Sequence, residues 1–242
     1  MKNTKKLLLS ALVVLAAAVF LMPQAAVAQD DEAKPFDAES VAMKGKAAKD
    51  FAPSGWVVEE EVKGDVTGDG VGDIVIKLIE DKPKKEDEMV DRNRVLVIAE
   101  GDGKGNYTKL SVADKVLQCT SCGGAFYGMM DAPANVTIEK GVIVINQDHG
   151  SRWVTDTTLR FRFDQQPNMF ILIGYDYASR DRAEGSVSSE STNYLTGKRI
   201  TETGKGKRAA KKTTTVEKMR YSIEEVDYQQ MESEAATRLG LD

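Results

Sequence analysis

The chain has 242 residues, of which 41% are apolar and 29% charged, and its formal net charge is −5 at pH 7. This composition is that of a globular protein with enough apolar residues for a buried core. The excess of acidic over basic residues argues against a nucleic-acid-binding protein, because contact with phosphates needs a basic surface.

The first 28 residues have the pattern of a secretory signal peptide. Three lysines precede an apolar run over residues 7–22, and Ala26 and Ala28 form a small-residue cleavage pattern before Gln29. The alternative, an uncleaved membrane anchor, fits less well because the apolar run is short for a membrane span. We therefore expect an exported protein, periplasmic or secreted, with no membrane span after cleavage.

The residues that follow predict a linker and then one main domain. Residues 29–50 are rich in Ala, Lys and Asp, and Asp37 or Ser40 is a possible cap for a weak helix with Gly45 in its middle. We predict a linker with a weak helix over residues 29–50 and an all-β domain over residues 51–227.

An Asp-rich loop, residues 65–73, carries the strongest motif. Asp65, Thr67, Asp69 and Asp73 stand at positions 1, 3, 5 and 9 of this loop, with Gly70 at position 6. Calcium takes about six to eight oxygen ligands, which alternate residues of a tight loop can supply together with a peptide carbonyl. The spacing predicts a calcium site, and the alternative is a metal-free turn rich in Asp and Gly.

The loop differs from an EF-hand and leads into a strand. An EF-hand loop ends in a bidentate Glu at position 12, which here is Ile76. An apolar, β-branched run over residues 74–76 follows Asp73 directly. The loop is therefore predicted to precede a β-strand and not a helix.

The region of about residues 57–110 resembles a single FG-GAP or VCBS repeat of extracellular proteins. In those repeats an Asp-rich calcium loop leads into an apolar strand, and a second strand ends in a Gly/Asp hairpin. The matching parts here are residues 74–79, 94–99 and 101–107. The resemblance implies these calcium ligands: Asp65, Thr67, Asp69, the carbonyl of Val71, and Asp73. The layout also resembles small exported bacterial proteins with one such unit, and because no second run has this spacing, we expect no complete propeller.

Cys119 and Cys122, within Cys-Thr-Ser-Cys-Gly-Gly, are the only cysteines. In an exported protein two cysteines this close are expected to form a structural disulfide. A redox-active pair of the thioredoxin kind needs a helix start to lower the thiol pKa, and Gly123 and Gly124 argue against such a helix. A zinc site has the least support, because only one distant histidine is available.

Residues 146–153 form a predicted polar loop that contains the only histidine. Asp148, His149, Arg152 and Trp153 are candidates for ligand contact, because functional residues concentrate in loops. An acid–base pair of Asp148 and His149 is less favoured, since neighbours on an extended chain point to opposite faces. No Gly-x-Ser-x-Gly nucleophile motif occurs in the sequence.

The remaining pattern predicts antiparallel strands and a terminal helix. Residues 158–163 alternate, with Leu159, Phe161 and Phe163 on one face of a half-buried strand. Residues 228–239 show helical spacing, and residues 228–242 are predicted to be a C-terminal helix and tail. The fold class is therefore mainly β, an antiparallel sheet, sandwich or meander with short terminal helices.

Together these features predict an exported, calcium-stabilised β domain that binds a protein or a glycan through its loops. Two alternatives stay open. One is a periplasmic inhibitor or immunity-type protein. The other is an enzyme, either a hydrolase that uses Asp148 and His149 or a thiol oxidoreductase that uses Cys119 and Cys122. The sequence assigns no catalytic residue.

Overall fold

The computed structural model describes residues 36–83, 88–206 and 209–241. The predicted signal peptide lies outside these residues. The described chain forms two antiparallel β-sheets, one α-helix and three short 3-10 segments.

The first sheet has five strands, and four of them lie side by side in the order in which they occur in the sequence. Its strands are β1 (Lys44–Gly45), β2 (Trp56–Gly64), β3 (Asp73–Glu80), β4 (Arg94–Gly101) and β5 (Tyr107–Ala113). The spatial order is β1-β5-β4-β3-β2, so the short β1 pairs with β5 at the far edge.

The second sheet is a meander of seven strands. Its strands are β6 (Ala134–Glu139), β7 (Val142–Gly150), β8 (Trp153–Asp164), β9 (Met169–Asp181), β10 (Val187–Asn193), β11 (Lys198–Gly204) and β12 (Ala210–Thr215). Each strand pairs antiparallel with the next one along the chain. Short connections between neighbouring strands favour this arrangement. The predicted mainly β fold of antiparallel sheets is confirmed, and the described residues form no propeller.

One face of the first sheet packs against one face of the second and encloses the larger core. The two sheets contribute, among others, Val75, Leu96, Ile98, Ile143, Leu159, Phe161 and Phe170. The alternation predicted for β8 is confirmed, since Leu159 and Phe161 are buried and Arg162 is exposed. Tyr175 and Tyr177 of β9 are also buried.

The opposite face of β3 and β4 carries a second core. Ile74, Ile76 and Leu78 are fully buried there beneath Val41 and Phe51 of the N-terminal segment. Strands covered on both faces are expected to be continuously apolar, and all of β3 except its last residue is buried. The unbroken apolar run after the Asp-rich loop therefore reflects a strand in the middle of three layers.

The N-terminal segment is not the linker with a weak helix that the sequence predicts for residues 29–50. From Phe36 onward it forms 3-10 helices Ala38–Ser40 and Ala48–Phe51 on either side of β1. Gly45 lies so close to Phe51 that an added Cβ would stand 2.8 Å from a ring carbon. The segment is ordered by burial against the first sheet and not by a helical pattern of its own, which explains why its composition suggested a linker. Residues 29–35 lie outside the described residues.

The polar loop predicted for residues 146–153 is also different. Strand β7 extends to Gly150 and β8 begins at Trp153, so only Ser151 and Arg152 form the turn. The Ser151 N–H donates to the Trp153 carbonyl at 2.9 Å. A Cβ at Gly150 (φ 133°) would lie 2.0 Å from that same carbonyl oxygen, so this turn requires glycine. The sequence predicted a loop here because the last residues of β7 are polar, although they pair with β8.

Helix α1 (Tyr228–Leu239) matches the predicted residues 228–239. The Asp227 carboxylate accepts hydrogen bonds from two backbone N–H groups of the first turn, and Gly240 ends the helix in the left-handed conformation. The helix packs on the second sheet through the fully buried Ala235 and through Arg238, which donates two hydrogen bonds to the Glu190 carboxylate. In the part of the chain that the structure describes, no helix has the length and apolar character needed to cross a bilayer.

Candidate functional site

The Asp-rich loop is organised around the buried carboxylate of Asp73. Its Oδ2 accepts hydrogen bonds from the N–H groups of Val66 and Thr67 and from the Thr67 hydroxyl, at 2.9 to 3.1 Å. Its Oδ1 accepts from the N–H of Gly101 at 3.0 Å. Asp73 therefore satisfies backbone donors of the loop and joins it to the end of β4.

The other two aspartates of the loop also accept backbone hydrogen bonds. The two oxygens of Asp65 accept from Gly68 and Gly70, at 2.6 and 2.9 Å. Asp69 is exposed, and its Oδ1 accepts from the N–H of Val71 at 2.8 Å. These three carboxylates thus act in this structure as side-chain caps of a turn rich in glycine.

Asp65, Asp69 and Asp73 do not form a cluster of three carboxylates in this structure. No group of three or more His, Cys, Asp or Glu residues within the described ranges is placed to hold a metal ion. Thr67 directs its hydroxyl proton to Asp73, and the Val71 N–H is used by Asp69. In the described conformation the three loop carboxylates accept hydrogen bonds from the chain and are not grouped as a metal site, and calcium binding by this loop stays a prediction.

A second region, residues 118–133, is held between the two sheets by hydrogen bonds. Arg94 of β4 is 3% exposed, and its Nη1 donates to the carbonyls of Gln118 and Ala132, which flank the segment. Gln118 is fully buried and donates through Nε2 to the carbonyls of Pro133 and Asp148. Both ends of this segment are therefore fixed independently of its cysteines.

Cys119 and Cys122 form the disulfide that the sequence predicts, within this same segment. The 3-10 segment Thr120–Phe126 follows Cys119 and bends at Gly124, whose φ is 67°. A Cβ at Gly124 would lie 2.9 Å from the carbonyl oxygen of Gly150, so the bend requires glycine and brings the segment against the β7–β8 turn.

Cys122 lies in the wall of an open cavity of about 340 Å³ between residues 119–127, β7 and α1. We call this cavity the disulfide cleft, and its lining residues are Cys122, His149, Tyr228, Gln229, Glu232, Ser233 and Ala236. Segments separated by about a hundred residues in the chain thus meet at one surface. Clefts of this kind, lined by a few polar groups, are the usual places for ligand contact.

His149 and Glu232 form an ion pair in the wall of the disulfide cleft. The His149 Nε2 and the Glu232 Oε1 are 2.5 Å apart, and both side chains are largely buried. The hydrogen bond to Glu232 raises the pKa of His149 above its ordinary value, against the opposing effect of burial. The imidazole is therefore held in its cationic form to a higher pH than a free histidine.

Asp148 points away from His149, as expected for neighbours in a strand. Its Oδ1 accepts a hydrogen bond from the Tyr127 hydroxyl at 2.6 Å. Burial and this hydrogen bond raise the pKa of Tyr127 to about 12. Asp148 lines a different cavity of about 420 Å³ with Phe126, Arg180 and Arg182. The structure therefore does not pair Asp148 with His149 for acid–base chemistry.

Arg152 and Trp153 lie at the β7–β8 turn. Arg152 donates two hydrogen bonds to the carboxylate of Asp181, at 2.7 and 3.1 Å, and this contact lowers the pKa of Asp181 to about 2. The Arg152 guanidinium also lies 5.9 Å from the centre of the Trp153 ring, which is 48% exposed. Arg152 is thus engaged within the protein, whereas Trp153 presents an apolar surface to solvent.

Trp153 and three apolar side chains of residues 126–130 are exposed, and Phe126 and Trp153 lie on either side of Arg182. We call this group the apolar patch, and its members are Phe126, Met129, Met130 and Trp153. Arg182 lies between Phe126 and the β7–β8 turn. Its guanidinium stacks on the Phe126 ring at 4.9 Å, and its backbone N–H donates to the Arg152 carbonyl. Exposed apolar residues grouped in this way mark interaction surfaces, whereas isolated ones do not.

Sequence reasoning missed Glu232, Tyr127 and Arg182. A signal for Glu232 was present, since it lies at helical spacing from Tyr228 and Ala235 on the face of α1 that packs on the sheet. A charged residue on such a face indicates a buried partner. No comparable signal identified Tyr127 or Arg182, because their partners lie in other segments of the chain.

Comparisons of this chain with protein-family models, with curated proteins and with solved structures found no match. The resemblance of residues 57–110 to an FG-GAP or VCBS repeat therefore stays a prediction. The candidate site is defined here by its own geometry.

Proposed function

We propose that this protein is an exported binding module that takes an extended polypeptide segment at the apolar patch. The observation that carries this proposal is the exposure of four large apolar side chains, three of them within residues 126–130 and the fourth at the β7–β8 turn against which residues 120–126 pack. Met129 and Met130 are 53% and 66% exposed, and Phe126 is 41% exposed. Methionine adapts its shape to varied apolar partners, which suits a surface that binds polypeptides.

The charges around the apolar patch support a polypeptide over a glycan. Arg182 is exposed and, among the described residues, makes no ion pair with a carboxylate. It borders the cavity of about 420 Å³ that contains Phe126. A segment with an apolar side chain beside a carboxylate would fit both features, since methionine and arginine are enriched at protein interfaces.

A selection experiment with matched variants tests this proposal. Random peptides and a panel of glycans are offered to the immobilised protein, to Met130→Ser, and to the control Met43→Ser. Met43 is 60% exposed and lies in the N-terminal segment, so the two substitutions remove similar exposed surface at different places. We expect peptides selected on the unmodified protein to bind Met43→Ser equally and to lose most of their affinity for Met130→Ser.

Two results would contradict the proposal. Peptides that bind Met130→Ser and Phe126→Ser as well as the unmodified protein would place the interface elsewhere. Glycans bound in the absence of any selected peptide would assign the surface to carbohydrate recognition. Circular dichroism of each variant checks that the fold is kept, so a loss of binding reports on the surface.

Calcium binding by the Asp-rich loop is a separate proposal, supported by the spacing of its acidic residues. It requires Asp65, Asp69 and Asp73 to bring carboxylate oxygens toward a shared ion. A bound ion stabilises the folded state by mass action, by about 2.7 kcal/mol at a hundredfold excess over the dissociation constant. We expect calcium to raise the unfolding temperature and Asp69→Asn to remove the increase. Equal transitions in calcium and in chelator would leave the loop as a hydrogen-bonded turn.

A further inference from the structure

The disulfide lies between two open cavities. Cys122 lines the disulfide cleft, and both Cys119 and Cys122 line a neighbouring cavity of about 380 Å³ that also contains Asp91, Lys115 and Asp227. Both cysteine residues are partly exposed. Thiol–disulfide exchange requires access of a thiolate along the line of the sulfur–sulfur bond, which a buried structural disulfide does not allow.

The disulfide also closes a loop that the fold already holds. The Thr120 N–H donates to the Arg92 carbonyl at 3.0 Å, and the Ala132 N–H donates to the Thr120 carbonyl at 2.8 Å. Together with the contacts of Arg94 and Gln118, these bonds fix both ends of residues 118–133. The sequence separation of the cysteines is 3, so the bond restrains little of the unfolded chain. Its opening is therefore compatible with an intact fold.

We propose that the Cys119–Cys122 disulfide is a thiol–disulfide exchange site that oxidises a pair of thiols in a bound polypeptide. A thiolate of the dithiol substrate attacks Sγ of Cys122, the cysteine that lines both cavities, and the Cys119–Cys122 bond breaks with Cys119 leaving as a thiolate. The second substrate thiolate then attacks the substrate sulfur of the mixed disulfide and releases Cys122. The substrate loses two electrons and two protons, and the protein gains two thiols.

Ser121 stands beside the sulfur that leaves. Its Oγ is 3.3 Å from Sγ of Cys119 and donates to Oδ1 of Asp91 at 2.8 Å. The hydroxyl carries one proton, which rotation about the C–O bond moves from the carboxylate to the sulfur. A hydrogen bond to the departing Cys119 thiolate favours its release, because charge-assisted hydrogen bonds stabilise the anion. This places Cys122 as the attacked sulfur and Cys119 as the leaving group.

His149 supplies the cationic group of the disulfide cleft. Among the described residues that line this cleft it is the only basic side chain. The charged groups that act on it are Glu232 of α1, Asp148 of β7 and Asp156 of β8, and the hydrogen bond to Glu232 does most to keep it protonated to a higher pH than a free imidazole. A cation near the entry path favours the thiolate form of an incoming thiol. His149 is therefore a positioning residue that acts on the substrate thiol through charge.

The exchange is tested with the folded protein in its oxidised form and two dithiol probes. One probe is dithiothreitol, and the other is a synthetic Cys-x-x-Cys peptide with apolar flanks. Thiols that appear on the protein are counted by alkylation and gel shift. A free peptide of residues 119–124, cyclised through its disulfide, is the matched control. We expect the folded protein to react at least about tenfold faster than this control peptide, while its circular dichroism stays unchanged.

Single-cysteine variants test which sulfur is attacked. Offered the oxidised form of the probe peptide, Cys119→Ser should form a mixed disulfide at least about tenfold faster than Cys122→Ser. His149→Gln should slow the exchange and flatten its pH dependence near neutrality. Equal trapping by the two cysteine variants would overturn the assignment of Cys122.

The exchange itself fails if the folded protein reacts more slowly than the control peptide or only after unfolding. The polypeptide substrate rests on the proposed binding function, and the two probes separate the two failures. If dithiothreitol reacts rapidly and the peptide with apolar flanks reacts no faster, the exchange site is supported and polypeptide binding is contradicted. Absence of reaction with both probes would overturn the exchange site. The binding function would still be tested independently by the peptide selection on the Met130 variants.

Discussion

The Asp-rich loop and the disulfide cleft are built in opposite ways. The hydrogen bonds that Asp65, Asp69 and Asp73 accept within the loop join residues at most seven positions apart. One bond outside the loop, from the N–H of Gly101 to Asp73, spans 28 positions. The contact between His149 and Glu232 spans 83 positions. The loop has a motif that is evident from spacing, yet its carboxylates bind the chain itself. The cleft has no linear motif, and it is where ionisable groups, a disulfide and open space meet.

This contrast separates a motif that is local in the sequence from a cleft that only the fold assembles. A short loop can satisfy its donors with its own acidic side chains, and its sequence then resembles an ion-binding site. A cleft depends on how sheets and helices pack, so its parts look unremarkable one by one. The following substitutions test whether the loop acts as a structural unit and whether the cleft depends on distant supports.

The largest effect is expected for Asp73→Ala. This substitution removes the acceptor of four hydrogen bonds at a residue that is 1% exposed, and it leaves buried N–H groups without partners. We expect the free energy of unfolding to fall by about 4 kcal/mol. Urea denaturation measures the change, with the exposed Asp69→Ala as the control within the same loop. Similar losses for both variants would show that Asp73 does not organise the loop.

The next largest effect is expected for Glu190→Ala in the support of the cleft. The fully buried Glu190 carboxylate accepts two hydrogen bonds from Arg238 and pairs with Arg199. Its loss leaves Arg199 without its carboxylate partner and leaves Arg238 with only the exposed Glu234. We expect a loss of about 3 kcal/mol, with faster hydrogen exchange in α1.

The control for Glu190→Ala is Glu234→Ala. Glu234 also pairs with Arg238, at 3.4 Å, but its side chain is 53% exposed. We expect this variant to lose no more than about 0.5 kcal/mol. Equal protection of α1 in both variants would mean that the helix is held on the sheet without the Glu190 contact.

A smaller effect is expected when the disulfide is removed. The chain-entropy relation for so short a loop gives a loss of about 2 kcal/mol for the Cys119→Ala, Cys122→Ala double variant. We expect the fold to persist, because hydrogen bonds from Arg94 and Gln118 hold the segment. Urea denaturation measures the loss, and near-ultraviolet circular dichroism reports on packing. A variant that no longer folds would show that the disulfide, and not the hydrogen bonds, fixes the segment.

The smallest effect is expected for His149→Gln, and it should depend on pH. Since the pKa of His149 is raised in the folded state, the pair with Glu232 contributes its full stability below about pH 6.5, the ordinary pKa. This contribution is lost as the pH rises through the raised pKa. We expect a loss of about 1 kcal/mol in acid that shrinks above neutrality. Urea denaturation over a pH series measures it, and a difference independent of pH would contradict the assignment.

The sequence by itself determined the features that depend on neighbouring residues. The alternation of apolar and polar residues around Leu159 and Phe161 predicted that one face of β8 is buried, because successive strand residues point to opposite faces. The helical spacing of residues 228–239 located α1 with the bounds it has in the structure. The two nearby cysteines form their disulfide. Each of these patterns is short enough for local geometry to fix it.

Only the tertiary structure decided what covers each face and which distant residues meet. Residues 36–51 became a second core because β3 and β4 have an apolar face that their own sheet cannot bury. His149, Cys122 and Glu232 came together because α1 returns to the second sheet beside residues 119–127. Such contacts depend on packing energy summed over many residues, so no local spacing records them.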